Sequence, residues 1–185
     1  MIRKATPNDA DSIIDLMLLA MGDLPYKFAN TKDKNIAFEL LKKFILEKEN
    51  QYSLENIFVA VQDDKIAGTI TAYDGGKTEI LRKRFFDYIS TTFHNKAFEM
   101  ELESEAGEFY IDTLSVDPKF QGQGIGKILI NTVISQAKSL GFEKVGLLVS
   151  STNPNAKRLY EKVGFKVVGY KNLLGTAHEH LVFDI

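Results

Sequence analysis

One stretch constrains the fold of this chain more than any other: Val116-Asp117-Pro118-Lys119-Phe120-Gln121-Gly122-Gln123-Gly124-Ile125-Gly126-Lys127-Ile128-Leu129. It reads as the end of a strand, a tight glycine loop and the start of a helix. Gly122, Gly124 and Gly126 alternate across five positions. Such a loop brings backbone N–H groups close to an anion, and the positive end of the helix dipole adds to the attraction. The stretch therefore predicts a site for a phosphate-bearing ligand. A Rossmann dinucleotide site needs GxGxxG directly after the strand, with an acidic residue about 20 positions on. Here the spacing is GxGxG, and Asp117-Pro118 separates strand from loop. A P-loop needs a GK[ST] ending, and Gly126-Lys127 is followed by Ile128. A loop that serves packing alone is the plain alternative.

The rest of the chain bounds what surrounds that loop. Its 185 residues suffice for one domain with a proper core, and a single domain over 1–185 is expected. The net charge of -2 makes no global case for nucleic acid or an anionic membrane. There is no cysteine, which excludes disulfides, thiolate metal sites and an acyl-cysteine intermediate. His94, His178 and His180 show no metal-binding spacing, so no metal is expected. No apolar run approaches the about 20 residues of a membrane span, and the N-terminus has no apolar leader. The expectation is a soluble, cytoplasmic protein.

Periodicity places the elements. Residues 1–5 read as a short strand, and Thr6-Pro7 starts a helix carrying Ile13, Ile14, Met17, Leu18 and Met21. Residues 34–48 form a second helix. Residues 57–61 and 66–73 pair as a hairpin about Asp63-Asp64-Lys65. Residues 77–98 suggest an aromatic-rich helix. Glu99, Glu101, Glu103, Glu105 and Glu108 follow as an acidic patch, read either as a solvated loop face or as a rim that attracts a cation. Residues 109–116 are a strand. Residues 125–140 form an amphipathic helix with Ile128, Leu129, Thr132, Val133 and Ala137 inward. The apolar run 144–149 is a strand buried on both faces. Asn153-Pro154 opens a short helix that Gly164 stops. Residues 165–170 and 181–185 are the last strands. This order predicts an α+β fold.

At this point two motifs carry a resemblance. Gln121-x-x-Gly124-x-Gly126, preceded by Leu114-Ser115-Val116-Asp117-Pro118, resembles the acetyl-CoA motif of the GNAT superfamily of N-acetyltransferases. Asn153-x-x-Ala156-x-x-Leu159-Tyr160-x-x-x-Gly164-Phe165 resembles that superfamily's second motif, and Ile2-Arg3-Lys4-Ala5 with Asp9 and Ala10 its opening strand and helix. Residues 77–105 exceed the usual pattern. The resemblance implies a mixed, mostly antiparallel central sheet of about six or seven strands with helices on both faces. It implies acetyl-CoA as cosubstrate, a direct attack by a primary amine and a possible homodimer. The motifs do not name the acceptor; the acidic segment from Glu99 to Glu108 points to a small cationic amine such as a polyamine, or a peptide or protein amine, as the expectation. An acyl-CoA-binding or sensing protein of the same fold, without catalysis, is the alternative.

The same resemblance assigns the site. Leu114, Ser115 and Val116 offer backbone to the pantetheine arm, as in strand addition, which requires the strand 144–150 to splay away. Leu114 N–H is a candidate oxyanion donor. Gln121, Gly122, Gln123, Gly124, Ile125, Gly126 and Lys127 surround the pyrophosphate. Asn153 and Ala156 complete the cofactor contacts, although Asn153 also reads as a plain helix cap. Lys127, Lys157 and Arg158 are candidates for the 3′-phosphate, with solvated helix charges as the bland reading. Tyr160 matches the general acid; with an ordinary pKa of about 10 it stays protonated at pH 7 and can donate to a thiolate. A core tyrosine is the plain reading. Asp112 is the candidate base or orienting group and shares strand parity with Glu108 and Tyr110. His178 and His180 read as surface histidines or as a border of the acceptor site.

Overall fold

The computed structural model describes residues 1–96 and 98–185. Its elements run β1 (Ile2–Lys4), α1 (Ala10–Met21), α2 (Leu24–Phe28), α3 (Lys34–Leu46), β2 (Ile57–Gln62), β3 (Lys65–Asp74), α4 (Thr78–Thr92), β4 (Glu108–Val116), α5 (Ile125–Ser139), β5 (Lys144–Ser150), α6 (Pro154–Val163), β6 (Lys166–Leu173) and β7 (Thr176–Asp184). The strands form one sheet of seven in the order β1-β2-β3-β4-β5-β7-β6. Every neighbouring pair is antiparallel except β4 with β5, which is parallel. The expected mixed, mostly antiparallel sheet is present.

Each helix buries the stripe its spacing dictates. On one face α5 turns Ile125, Leu129, Ile130, Val133 and Ala137 onto Ile70, Phe109, Ile111 and Leu147 of the sheet. On the other, Ile13, Ile14 and Met17 of α1 meet Leu41, Phe44 and Ile45 of α3 and Phe85 and Ile89 of α4. Ile128 is 51% exposed, contrary to the inward position expected. The buried stripe of α5 steps from 125/126 to 129/130 to 133 to 137, and Ile128 falls one residue off it, where Thr132 donates to its carbonyl. The C-terminal strands also extend beyond the expected ranges, so that His178 and His180 lie within β7.

The opening segment is fixed by charge as well as burial. Arg3 donates to both carboxylate oxygens of buried Asp9, at 2.6 and 2.8 Å. The backbone N–H and the hydroxyl of Thr6 donate to the same carboxylate at 2.7 and 2.8 Å. These bonds, Arg3's first, hold the Asp9 carboxyl at about 2, below its ordinary 3.8. A carboxyl whose pKa falls on folding adds stability that is present above its unfolded pKa and lost as pH drops through the folded one. Asp9→Asn is therefore expected to lose about 1–2 kcal/mol at pH 7, allowing for the partial exposure of Arg3. The gap to the wild type should close as pH falls from about 4 to about 2, which urea unfolding across that range checks.

Candidate active site

The sheet parts in its middle. β4 pairs with β5 only from Glu108 opposite Lys144 to Ile111 opposite Leu147. Beyond that point β4 stays with β3 as far as Val116, and β5 stays with β7 as far as Ser150. The cause is visible in the register: Thr71 faces Thr113 and Ala72 faces Ile111, so Asp112 is an extra residue on β4. A bulge of this kind increases local twist and bends its strand away from a neighbour. The splay that the sequence led us to expect of 144–150 is thus present and begins at Asp112. A cavity of about 470 Å³ opens in the gap, lined by Leu114 and Val116 of β4, Val149 and Ser150 of β5, and Asn153 and Tyr160 beyond.

The glycine loop sits at the wide end. Asp117 caps a short turn at Pro118–Phe120 by accepting the N–H of Lys119 at 2.8 Å. Gln121 Nε2 then donates to the Val116 carbonyl at 3.0 Å and folds the loop back onto its strand. Gly122 and Gly124 have φ of 78° and 80°, a left-handed backbone that a side chain disfavours. Gly126 lies inside α5, where a Cβ would meet Leu159 of α6 at 3.1 Å. Two of the glycines shape the loop and the third lets α6 approach α5. The N–H groups at the start of α5 have no helical partner and remain available to an anion. A second groove, of about 490 Å³, runs past Gln121, Gly122, Gly124, Gly126 and Lys127. Leu114, Val116, Gln121, Ala156 and Tyr160 border both spaces.

Not every residue expected there points into that groove. Gln123 accepts from Gln62 Nε2 at 2.9 Å and does not line the groove, whereas Ile125 borders it while burying its side chain in the core. Ser115 is buried on the cavity wall. Asn153 Oδ1 accepts the Ala156 N–H at 3.1 Å, the helix-cap role. Lys157 is paired with Glu179 at 2.8 Å, and Arg158 donates to Asn155 at 2.5 Å. Neither lines the groove, whereas Lys127 does.

Tyr160 stands in α6 against the edge of Phe165 and is 8% exposed. Its hydroxyl has no hydrogen-bond partner among the described residues. Burial pushes its pKa up to about 12, so it is protonated at neutral pH.

The narrow end of the cavity is acidic. Tyr73 donates to Asp112 at 2.5 Å, and Tyr110 donates to Glu103 at 3.4 Å. Tyr52 completes the wall, and Leu19, Met21, Leu24, Met100 and Leu173 line the approach. Burial raises both carboxyls toward neutrality, their mutual repulsion adds to the rise at Glu103, and nearby Arg82 opposes it. Arg82 is itself buried and donates to the carbonyls of Met100 and Glu101 at 2.9 and 3.1 Å.

The acidic segment is therefore not a uniform solvated face. Ser104, held by Thr78 and by the Gly75 carbonyl, pins it against α4, and Glu103 turns inward and is buried. Glu101 accepts the Leu174 N–H at 2.9 Å, and exposed Glu105 meets Lys171 at 3.2 Å. Glu108 is buried beside His180 at 2.9 Å, so His180 is not a surface histidine. His178 lines the cavity. The shared parity of Tyr110 and Asp112 pointed to this face. Tyr52, Tyr73, Arg82 and the separate role of Glu103 were missed, and only the alternation along β4 hinted at them. Among the described residues no cluster could hold a metal ion, and no helix is long and apolar enough to cross a membrane.

Comparison with known proteins agrees with this geometry. The Acetyltransferase (GNAT) family matches residues 26–165. A mycothiol acetyltransferase of Propionibacterium freudenreichii is 40% identical over 62 residues, 34% of this chain but only 19% of the relative's length. A solved acetyltransferase is 26% identical with a TM-score of 0.84, covering 100% of this chain and 99% of that one. An N-acetyltransferase of Staphylococcus aureus Mu50, 23% identical, shares the fold with a TM-score of 0.85 over 99% of this chain and 100% of its own.

Proposed function

The chain belongs to the acetyltransferase (GNAT) family of acyltransferases, and from that premise we propose that it moves acetyl from acetyl-CoA directly to a primary amine. The parting of β4 from β5, with one cavity and one groove meeting at Tyr160, is the observation that carries this reading. The groove fits a phosphate-bearing cosubstrate: two left-handed glycines, free N–H groups at the start of α5, and Lys127. Gln121, Gly122, Gly124, Gly126 and Lys127 would hold the pyrophosphate, and Leu114 and Val116 the pantetheine arm. Ser115, Asn153 and Ala156 would shape the remaining contacts, with Gln123 and Ile125 supporting the loop.

Acetyl-CoA supplies the thioester. With no cysteine to carry the acetyl group, the amine nitrogen itself forms the new C–N bond as the C–S bond breaks. Two protons must move. Asp112, poised near neutrality in the cavity, orients the amine and takes its proton, directly or through water. Tyr160 gives its proton to the departing sulfur, since its hydroxyl is protonated and otherwise unpartnered. The N–H of Leu114 is free of β5 and available to the developing oxyanion.

Calorimetric titration with acetyl-CoA is expected to show saturable one-site binding. Release of CoA thiol should then depend on an added primary amine. Absence of acetyl-CoA binding would overturn the reading.

A further inference from the structure

We infer that the acceptor is a short aliphatic diamine or polyamine, and that Glu103 holds the ammonium that does not react. This rests on the transferase reading above and narrows it to a substrate class.

Position along β4 separates two tasks. Leu114 marks the cofactor end, and Asp112 lies about 7 Å from it along the strand. Tyr110 comes next, and its hydroxyl reaches Glu103, which enters from the segment after α4. Asp112 therefore serves the reacting nitrogen, and Glu103 stands beside it at the Tyr110 end. Glu103 is 8% exposed, and among the described residues its carboxylate accepts only the Tyr110 hydroxyl, at Oε2, leaving Oε1 without a partner. The Tyr160 hydroxyl, also unpartnered among the described residues, lines the same cavity from the other end.

Charge supports the same conclusion. The groups facing the pair are Arg82 from α4, Tyr52 from the loop before β2, Tyr73 from β3, Tyr110 from β4, Lys171 from β6 and His178 from β7. Burial keeps the three tyrosines neutral. Lys171 is already paired with Glu105, and His178 Nδ1 lies 2.9 Å from the Thr176 carbonyl. Among the described residues Arg82 opposes both carboxylates, while Lys171 acts on Glu103 only and is already shared with Glu105; the Arg82 guanidinium contacts backbone carbonyls, not the carboxylates. One negative charge is left over, and a buried charge without a counter-charge is costly. In the free site a bound proton neutralises it. An alkylammonium does so with three N–H donors for the carboxylate and tyrosine oxygens. The reacting nitrogen must be uncharged, so the molecule needs a second one. Leu19, Met21, Leu24, Met100 and Leu173 offer aliphatic surface to the methylenes between them. No side-chain amide lines that half of the cavity among the described residues, which disfavours a peptide with its own amides to satisfy.

Steady-state transfer to 1,4-diaminobutane, n-butylamine and a short peptide with a free N-terminus tests this, for wild type and Glu103→Gln, with acetyl-CoA affinity measured on each protein. Wild type should favour the diamine over n-butylamine by on the order of 10- to 100-fold in kcat/KM. In Glu103→Gln that ratio should fall to about one, mainly through the diamine KM, with acetyl-CoA still bound. Equal use of the two amines by wild type, a preference for the peptide, or an unchanged ratio in Glu103→Gln would each overturn the inference. The wild-type comparison stands even if the variant fails to fold. Binding of acetyl-CoA without transfer to any amine would refute the transferase reading instead, and the inference with it.

Discussion

Replacing Tyr160 with phenylalanine is expected to lower kcat by about 10²- to 10³-fold while leaving acetyl-CoA affinity unchanged. The variant suits the question because of what it leaves intact. The ring keeps its contact with Phe165, 5.9 Å between centroids. The lost hydroxyl orphans no protein group, since it has no hydrogen-bond partner among the described residues. Fold and cofactor groove should therefore survive, and only a proton donor is removed. Steady-state kinetics beside calorimetry separates the two effects. A kcat within about threefold of wild type would mean that the sulfur departs without help from Tyr160.

Phe85→Ala is expected to lower unfolding stability by about 3–5 kcal/mol, read by urea denaturation. Phe85 is 0% exposed and meets Phe44, Phe28, Tyr52 and Phe86 at centroid distances of 4.8, 4.9, 5.2 and 6.0 Å. A small side chain there leaves a void that α3, α4 and the Tyr52 loop must close around. Tyr52 lines the acidic end of the cavity, where the amine is proposed to bind, and α4 also carries Arg82. Where the variant remains folded, the amine KM should rise more than the acetyl-CoA Kd. A stability loss below about 1 kcal/mol would show that α4 is an appendage and not part of the core.

The glycine loop and α6, the proposed donor half of the site, were legible in the sequence because their signals are local. Gln121 to Lys127 follow one another, and Asn153 to Tyr160 lie on one short helix. Each residue's type is tied to a nearby backbone demand, as with the left-handed Gly122 and Gly124. The proposed acceptor half draws on Tyr52, Tyr73, Arg82, Glu103 and Asp112, which only tertiary packing brings together. Glu103 alternates with its exposed neighbours in a regular way, and what turns it inward is Ser104 bonding across to Thr78. α2 escaped notice because five residues beginning Leu24-Pro25 carry no periodicity. The start of β7, Thr176 to His180, has little apolar character; its order comes from backbone pairing to β6 throughout and to β5 from His178 onward.

The cavity and the groove share Leu114, Val116, Gln121, Ala156 and Tyr160 as a party wall. Two ligands that press on one wall cannot bind as strangers. Whatever factor a donor molecule in the groove imposes on the affinity for an amine, the amine must impose on the donor, by linkage. The five residues therefore set two binding constants jointly. A substitution made there to tune the acceptor will return as a change in the donor.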